Sequence, residues 1–301
     1  QSDTFAATSH QKYETALANG FFTDEIMDLE VPATKRKAPP EICNADEGPR
    51  PGTTVDGISG LRPIHGDGGV VTAANASGIN DGAAALVVGN ENTGRAMGLT
   101  PRARLVSAAI AGVEPRVMGL GPVDASKKAL ARAGLSLKDM DVLELNEAFA
   151  AQVLGCLKQM DVAFDDPRVN PNGGAIAIGH PLGASGARLA LTAIRALEAQ
   201  DKKYACYYDA SPQLDRRAQK HHVKTARHTP LQPETGMTKN LLIVAHAPSP
   251  NTQRLRDAIV AGATHADIAG VIVDTRSPFD TGPDEVRTAD GIILMTTENL
   301  A

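Results

Sequence analysis

A histidine set between a glycine and a proline is the first residue in this chain placed to do chemistry. His180 lies in residues 173–186, GGAIAIGHPLGASG. The apolar run GGAIAIG predicts a short buried strand, and Gly183 and Gly186 flank Ser185 where a helix should start. Small residues let a ligand approach the backbone, and the N–H groups that open a helix suit a developing anion. A histidine at a strand end can act as a general acid or base, or donate to an oxyanion. The competing reading is a structural histidine whose hydrogen bonds are met inside a tight turn. A second group follows the run VLEL: Asn146, Glu147, Ala148, Phe149, Ala150. The Asn146 amide is a neutral donor that can hold a water or a carbonyl oxygen. Glu147 reads either as a base or as a cap on the helix that follows. A third stretch, residues 72–84, is TAANASGINDGAA and includes Ser77. Its small side chains suit close packing or a narrow ligand tunnel, and both readings stand.

The segments that must hold these groups alternate between helical and extended patterns. Residues 3–19 predict a helix closed by Gly20. Residues 31–68 are rich in Pro, Gly and charge and predict extended loop. GVVTAANAS predicts a strand, AAALVV a second, TGRAMGL a short helix and RARLVSAAIAGV a buried strand. DASKKALARAGL is amphipathic, with Ala125, Ala129, Leu130 and Ala133 on one face, Asp124 as its N-cap and Gly134 as its stop. VLELNEAFAAQVLGCLKQM predicts strand, loop, helix. HPLGASGARLALTAIRALEAQ predicts a turn feeding a long helix. Strands alternating with helices give layered α/β packing.

Composition bounds the function. The formal charge of -5 lacks the basic footprint of a general nucleic-acid binder. No apolar run approaches the ~18 residues of a membrane span, and the opening QSDTFAATSHQKYE has no signal-peptide pattern. It also has no Met, which predicts a chain that begins inside a longer protein. Cys43, Cys156 and Cys206 cannot all pair and form no CxxC, so a reducing, cytoplasmic setting without a disulfide framework or zinc site is expected. Aromatic residues are 3% and Trp is absent, so the core must be aliphatic and rich in Ala.

Charge divides the chain into three. Residues 1–201 carry net -6, residues 202–236 net +4 and residues 237–301 net -3. The middle stretch has three residues of the Ile/Leu/Val/Met/Phe class, too few to offset its ordering entropy, so a linker or non-native tail is expected there. Its His221, His222 and His228 lack a supporting carboxylate, which argues against a metal site. The third stretch reads strand, loop, helix, strand, strand, with LLIVAHA, AGVIVDT and DGIILMT as buried-strand runs.

Together, TAANASGINDGAAA, NEAFA and GGAIAIGHPLGASGARL, in that order, resemble the thiolase family, and DEGPRPGTTVDGISGLRP fits the same pattern. The resemblance runs over residues 1–204 and points to the acetyl-CoA acetyltransferase branch. It implies a layered α/β/α fold, present in part: a loop-domain remainder and a C-terminal domain, with the N-terminal half absent. It implies acyl transfer between CoA thioesters in fatty acid metabolism, with no cofactor, in an enzyme that forms homo-oligomers. His180 matches the histidine that activates a nucleophilic cysteine and helps form an oxyanion hole. Asn146 matches the asparagine that holds a catalytic water, and Ser77 the serine beside the pantetheine arm. Gly179 and Phe149 belong to the same substrate-binding motifs.

The sequence departs from the family at both catalytic cysteines. One belongs to the absent half. The other belongs to a Cys-x-Gly motif, where this chain has ACYYDASPQLDRRAQK, and Cys206 does not take its role. The chain alone is therefore expected to lack turnover, and a non-catalytic acyl-CoA-binding relative is an alternative. Residues 237–301 resemble the opening of a flavodoxin-like or NAD(P)H-dependent FMN-reductase domain, a partial parallel sheet. That implies FMN contacts from Ser249, Asn251 and Thr252 after the first strand and from Thr297, Glu298 and Asn299 after the third. An FMN-binding redox module is the other alternative. Residues 205–236 then separate two unlike regions, as a reading-frame slip or a linked fusion would produce.

Overall fold

A computed structural model describes residues 1–31, 39–208, 222–224, 239–245, 250–264, 271–277, 280 and 291–297. The chain opens with α1 (Ser2–Ala18), which buries Ala6, Ala7, Ser9, His10, Tyr13 and Ala16 along one stripe. Gly20 follows at φ 73, the left-handed conformation that stops a helix. Two short strands, β1 (Leu29–Val31) and β2 (Glu41–Cys43), pair antiparallel, and α2 (Val55–Ile58) is capped by Thr54 Oγ1. β3 (Ala83–Gly89) leads into α3 (Glu91–Ala96), whose N-cap Asn90 accepts from Thr93 N at 2.8 Å.

The core is built on a sheet of β4 (Arg104–Ser107), β5 (Val142–Leu145), β6 (Tyr204–Tyr208) and β7 (His222–Lys224), in the order β4-β7-β6-β5, of which β5 and β6 are buried. β5 and β6 are parallel and central to the core. Side chains alternate across a strand, so each strand feeds two faces. Leu143, Leu145, Cys206 and Tyr208 pack against α4 (Gly121–Ala133) and α5 (Ala150–Gln159) through Val123, Leu130, Val153 and Leu157. Val142, Ala205 and Tyr207 face Leu189, Ala193 and Leu197 of α7 (Leu182–Ala199). Helices on both faces of a sheet make the α/β/α layering that VLEL, buried at all four positions, requires. Each leucine so enclosed contributes about 1.5–3 kcal/mol relative to exposure.

Several expectations need correction. GGAIAIG is not a strand: Ala175–Ile178 form the short helix α6. Four apolar residues carry no period, and here side chains satisfy the first amides: Gly174 N donates to Ser9 Oγ and Ile176 N to Glu147 Oε2. GVVTAANAS is irregular, with a single bridge at Ala76–Phe149. Asn75 takes over its backbone by accepting from Thr72 N and donating to Val70 O, in place of a strand ladder. RARLVSAAIAGV forms a strand only at β4, which lies at the sheet edge and leaves Leu105 exposed. Asp124 lies in the first turn of α4 and the N-cap is Leu120, whereas Gly134 ends the helix at φ 65. Residues 205–208, assigned above to a linker, are the four buried residues of β6, because their register with Val142–Leu145 encloses them.

The third stretch supplies β8 (Lys239–Ala245), α8 (Pro250–Ala263), β9 (Val271–Arg276) and β10 (Gly291–Thr297). β8 lies between β9 and β10, parallel to both. The sheet is not purely parallel: β10 also pairs antiparallel with β3 over seven residues. Among the described residues no helix is long and apolar enough to cross a membrane.

Candidate active site

Strand alternation sets the site. Beyond β5 the chain stays paired for one more residue, with Asn146 N donating to Tyr208 O at 2.9 Å. Asn146 therefore continues the face of Val142 and Glu144, toward α7, and Glu147 turns the other way. His180 stands two residues ahead of α7, and the Asn146 Nδ2 atom lies 3.0 Å from His180 Nε2 and 3.3 Å from Nδ1. Ser185 Oγ, one turn into α7, is 2.6 Å from His180 Nδ1 and donates to Pro181 O at 3.0 Å. Asn146, His180 and Ser185 are all buried.

A Ser185 hydroxyl that donates to Pro181 O accepts from Nδ1–H, and in that tautomer an unprotonated Nε2 faces the Asn146 amide. A lone pair at Nε2, held in orientation through the other ring nitrogen, is the arrangement of a general base.

The small-residue segment closes the site from a third side. His180 N donates to Gly78 O at 2.9 Å. Ser77 donates to Ala148 O through both N and Oγ, each at 3.1 Å. Gly179 has φ 103, and a β-carbon there would press into Asn80, 2.5 Å from its Cγ. A β-carbon on Gly82 would stand 2.6 Å from Pro181 Cγ. Residues 78–82 are thus packed on residues 179–181, which settles the close-packing reading for that part of the run. Phe149 holds the N-cap position of α5, and the residue is 43% exposed at its bridge to Ala76. The structure brings His180, Asn146, Ser77, Gly179 and Phe149 into one place.

Glu147 is neither a base for this site nor a cap for α5. It is 1% exposed, and its carboxylate accepts from Ser9 Oγ (2.6 Å), Asn170 Nδ2 (2.7 Å) and Ile176 N (3.1 Å). It caps α6 instead. Ser9, Asn170 and Ser185 were not picked out from sequence as functional residues. Asn170 at φ 41 offered the one local signal, an Asn-Pro-Asn turn ahead of the glycine pair.

Two of the three thiols are buried in the core. Burial pushes the Cys156 thiol up to about 11 and the Cys206 thiol up to about 12. Cys43 is exposed in β2. Glu144, fully buried under α7, is pushed up to about 8 by desolvation and by Glu147 and Glu25, against the pull of Arg188 at 3.9 Å. Among the described residues no group of three His, Cys, Asp or Glu side chains is placed to hold a metal. His222 lies in β7, and His221 and His228 fall outside the described residues.

The residues assigned above to FMN are described only in part. Asn251 and Thr252 open α8 and Thr297 ends β10, while Ser249, Glu298 and Asn299 lie outside the described residues.

Sequence comparison with known proteins bears on the first two thirds of the chain. Family models described as the thiolase N-terminal and C-terminal domains match residues 1–92 and 99–208. The 3-oxoadipyl-CoA/3-oxo-5,6-dehydrosuberyl-CoA thiolase of Escherichia coli K12 is 54% identical over 203 residues, 67% of this chain and 50% of that protein. The acetyl-CoA acetyltransferase structure from Bacillus anthracis is 33% identical with a TM-score of 0.67, over 75% of this chain and 55% of that one. Human mitochondrial 3-ketoacyl-CoA thiolase, solved in complex with CoA, is 34% identical with a TM-score of 0.64, over 75% and 54%. The chain spans about half the length of the curated relatives it matches.

Proposed function

Because residues 1–208 of this chain belong to the thiolase family, we propose that its chemistry is acyl transfer between coenzyme A thioesters, with His180 and Asn146 as the catalytic pair. The observation that carries this reading is the buried contact between the Asn146 amide and His180 Nε2, 3.0 Å apart. In the transfer, a thiol loses its proton to Nε2 and the thiolate sulfur attacks the acyl carbonyl. A sulfur–carbon bond forms, the bond to the CoA sulfur breaks, and CoA leaves with a proton. A base so positioned contributes about 10²–10⁴-fold. The Asn146 amide and the protonated ring then supply donors to oxygen carrying charge, in a site that excludes bulk water. Ser77, Gly179 and Phe149 line the approach for the acyl-CoA arm, with Phe149 and the 78% exposed Ile79 offering apolar surface.

The nucleophile is not one of the three cysteines of this sequence. Cys156 and Cys206 are buried and held protonated, and Cys43 lies on an exposed hairpin. The 301-residue chain alone is accordingly read as inactive, and the sequence match to the thiolase models ends at residue 208. For the intact protein we expect a cytoplasmic homo-oligomer. The test is thiolysis of acetoacetyl-CoA by the protein expressed from its own gene, beside its His180→Ala variant. CoA-dependent cleavage lost in the variant supports the reading, and equal rates overturn it. CoA binding with no cleavage favours a non-catalytic acyl-CoA-binding relative.

One observation favours a second reading for residues 237–301. The parallel order β9-β8-β10 is the 2-1-3 order that opens a flavodoxin-like sheet, with the ends of β8 and β10 at the switch point where flavin binds. Flavin absorbance in the purified chain tests it, and colourless protein after incubation with FMN counts against it.

A further inference from the structure

We propose that Glu147 is a positioning residue, whose buried carboxylate ties the segment before His180 to the segment after Asn146 and so sets the distance between the two. The proposal rests on the acyl-transfer reading of that pair. Asn146 and Glu147 are adjacent and point to opposite faces, so one carries chemistry and the other can anchor it. The anchor reaches three separate parts of the chain. Ser9 on α1 donates to Oε2 at 2.6 Å and itself accepts from Gly174 N at 3.0 Å. Ile176 N donates to the same oxygen at 3.1 Å, four residues before His180. Asn170 Nδ2 donates to Oε1 at 2.7 Å.

Asn170 cannot turn to suit a different partner. Its Oδ1 accepts from Leu145 N at 2.7 Å and its Nδ2 donates to Leu145 O at 2.9 Å, in the manner of an extra strand beside the residue preceding Asn146. All three partners of Glu147 are donors, so only a group with two acceptor atoms satisfies them. Gly174 leaves room for nothing else: a β-carbon there would stand 2.6 Å from Oε1 and 2.7 Å from Oε2. The glycine pair at 173–174 therefore makes space for α1 and for this carboxylate, not for a ligand. The position of His180 follows from the way α6 is pinned.

Glu147→Gln is the probe. Wherever its amide nitrogen points, it meets a donor, and no flip of Asn170 relieves the conflict. The readout is the titration of the His180 imidazole by NMR in the full chain, with Leu197→Ala as a control for lost stability far along α7. With the Asn146 amide donating to a neutral ring, separating the pair should raise the His180 pKa by about half a unit or more in Glu147→Gln. Leu197→Ala should leave it unchanged. An unchanged His180 titration in Glu147→Gln overturns the proposal. If that variant does not fold, Ser9→Ala decides on the same readout, with about half the shift expected and no shift overturning it. The titration needs no turnover, so a failed thiolysis assay and a failed positioning role are distinguishable.

Discussion

Replacing Gly174 by Ala adds one methyl group at a position where the backbone itself raises no objection. Its φ is -153, extended backbone that any residue adopts, so the entire effect comes from what the new carbon meets. It meets the Glu147 carboxylate, at 2.6 Å and 2.7 Å from the two oxygens, well inside van der Waals contact. The carboxylate must move away from Ser9, Asn170 and Ile176. Hydrogen bonds to a charged group are worth about 1.5–3 kcal/mol each, and stripping the partners from a buried charge costs about 3–5 kcal/mol. Against this, Gly→Ala lowers the entropy of the unfolded chain by about 0.4–1 kcal/mol. The net expectation is a loss of about 3 kcal/mol, or about 6–12 °C in Tm for a unit of this size. Gly186→Ala is the matched contrast. Gly186 lies inside α7 with nothing within 4 Å of its β-carbon position, so alanine should stabilise by about 0.5–1 kcal/mol. Thermal unfolding followed by circular dichroism compares the two. If Gly174→Ala unfolds within about 2 °C of the parent, the carboxylate anchor does not hold this loop.

Three further outcomes are expected. Glu144 has a folded pKa of about 8 against about 4.3 when unfolded, so the folded state holds the extra proton between these values. Stability linked to it is full below about pH 4 and falls by at most about 1.4 kcal/mol per unit as pH rises toward 8. Glu144→Gln should therefore match the parent in urea melts below about pH 4 and exceed it increasingly toward pH 8, by at most about 1.4 kcal/mol per unit. A thiol reagent at pH 8 should label Cys43 in the native chain and reach Cys156 and Cys206 only after unfolding, read by mass spectrometry of the labelled peptides. Ser185→Ala should leave Nδ1–H without its acceptor and destabilise by about 1–2 kcal/mol, read by the same thermal melts.

The elements with a clear period were legible in the sequence. The Gly134 stop of α4, the long α7 and the buried β5 follow from spacing and capping alone, whereas of the α4 stripe only Ala129 and Leu130 are buried, with Val123 and Ser126 in place of Ala125 and Ala133. What sequence could not show is where side chains replace backbone partners. GGAIAIG reads as a strand because its helical first turn is satisfied by Glu147 and Ser9, which lie 29 and 165 residues away. GVVTAANAS reads as a strand because its alternation hides the bonds of Asn75. The site shows the same division. His180 and Asn146 stand out by type and setting, whereas Ser185, Asn170 and Ser9 are ordinary polar residues whose roles exist only in three dimensions. Residues 205–208 were misplaced because a basic, His-rich stretch follows them directly, and only pairing with β5 reveals a core strand.

Everything proposed for this site depends on which ring nitrogen of His180 carries the proton. Nitrogen-15 NMR of the histidine-labelled chain near neutral pH reads this directly. The geometry predicts a neutral ring protonated at Nδ1, toward Ser185, with an unprotonated Nε2 facing Asn146. A ring protonated at Nε2 would show that the amide accepts rather than donates, leaving no base where the thiol proton has to go.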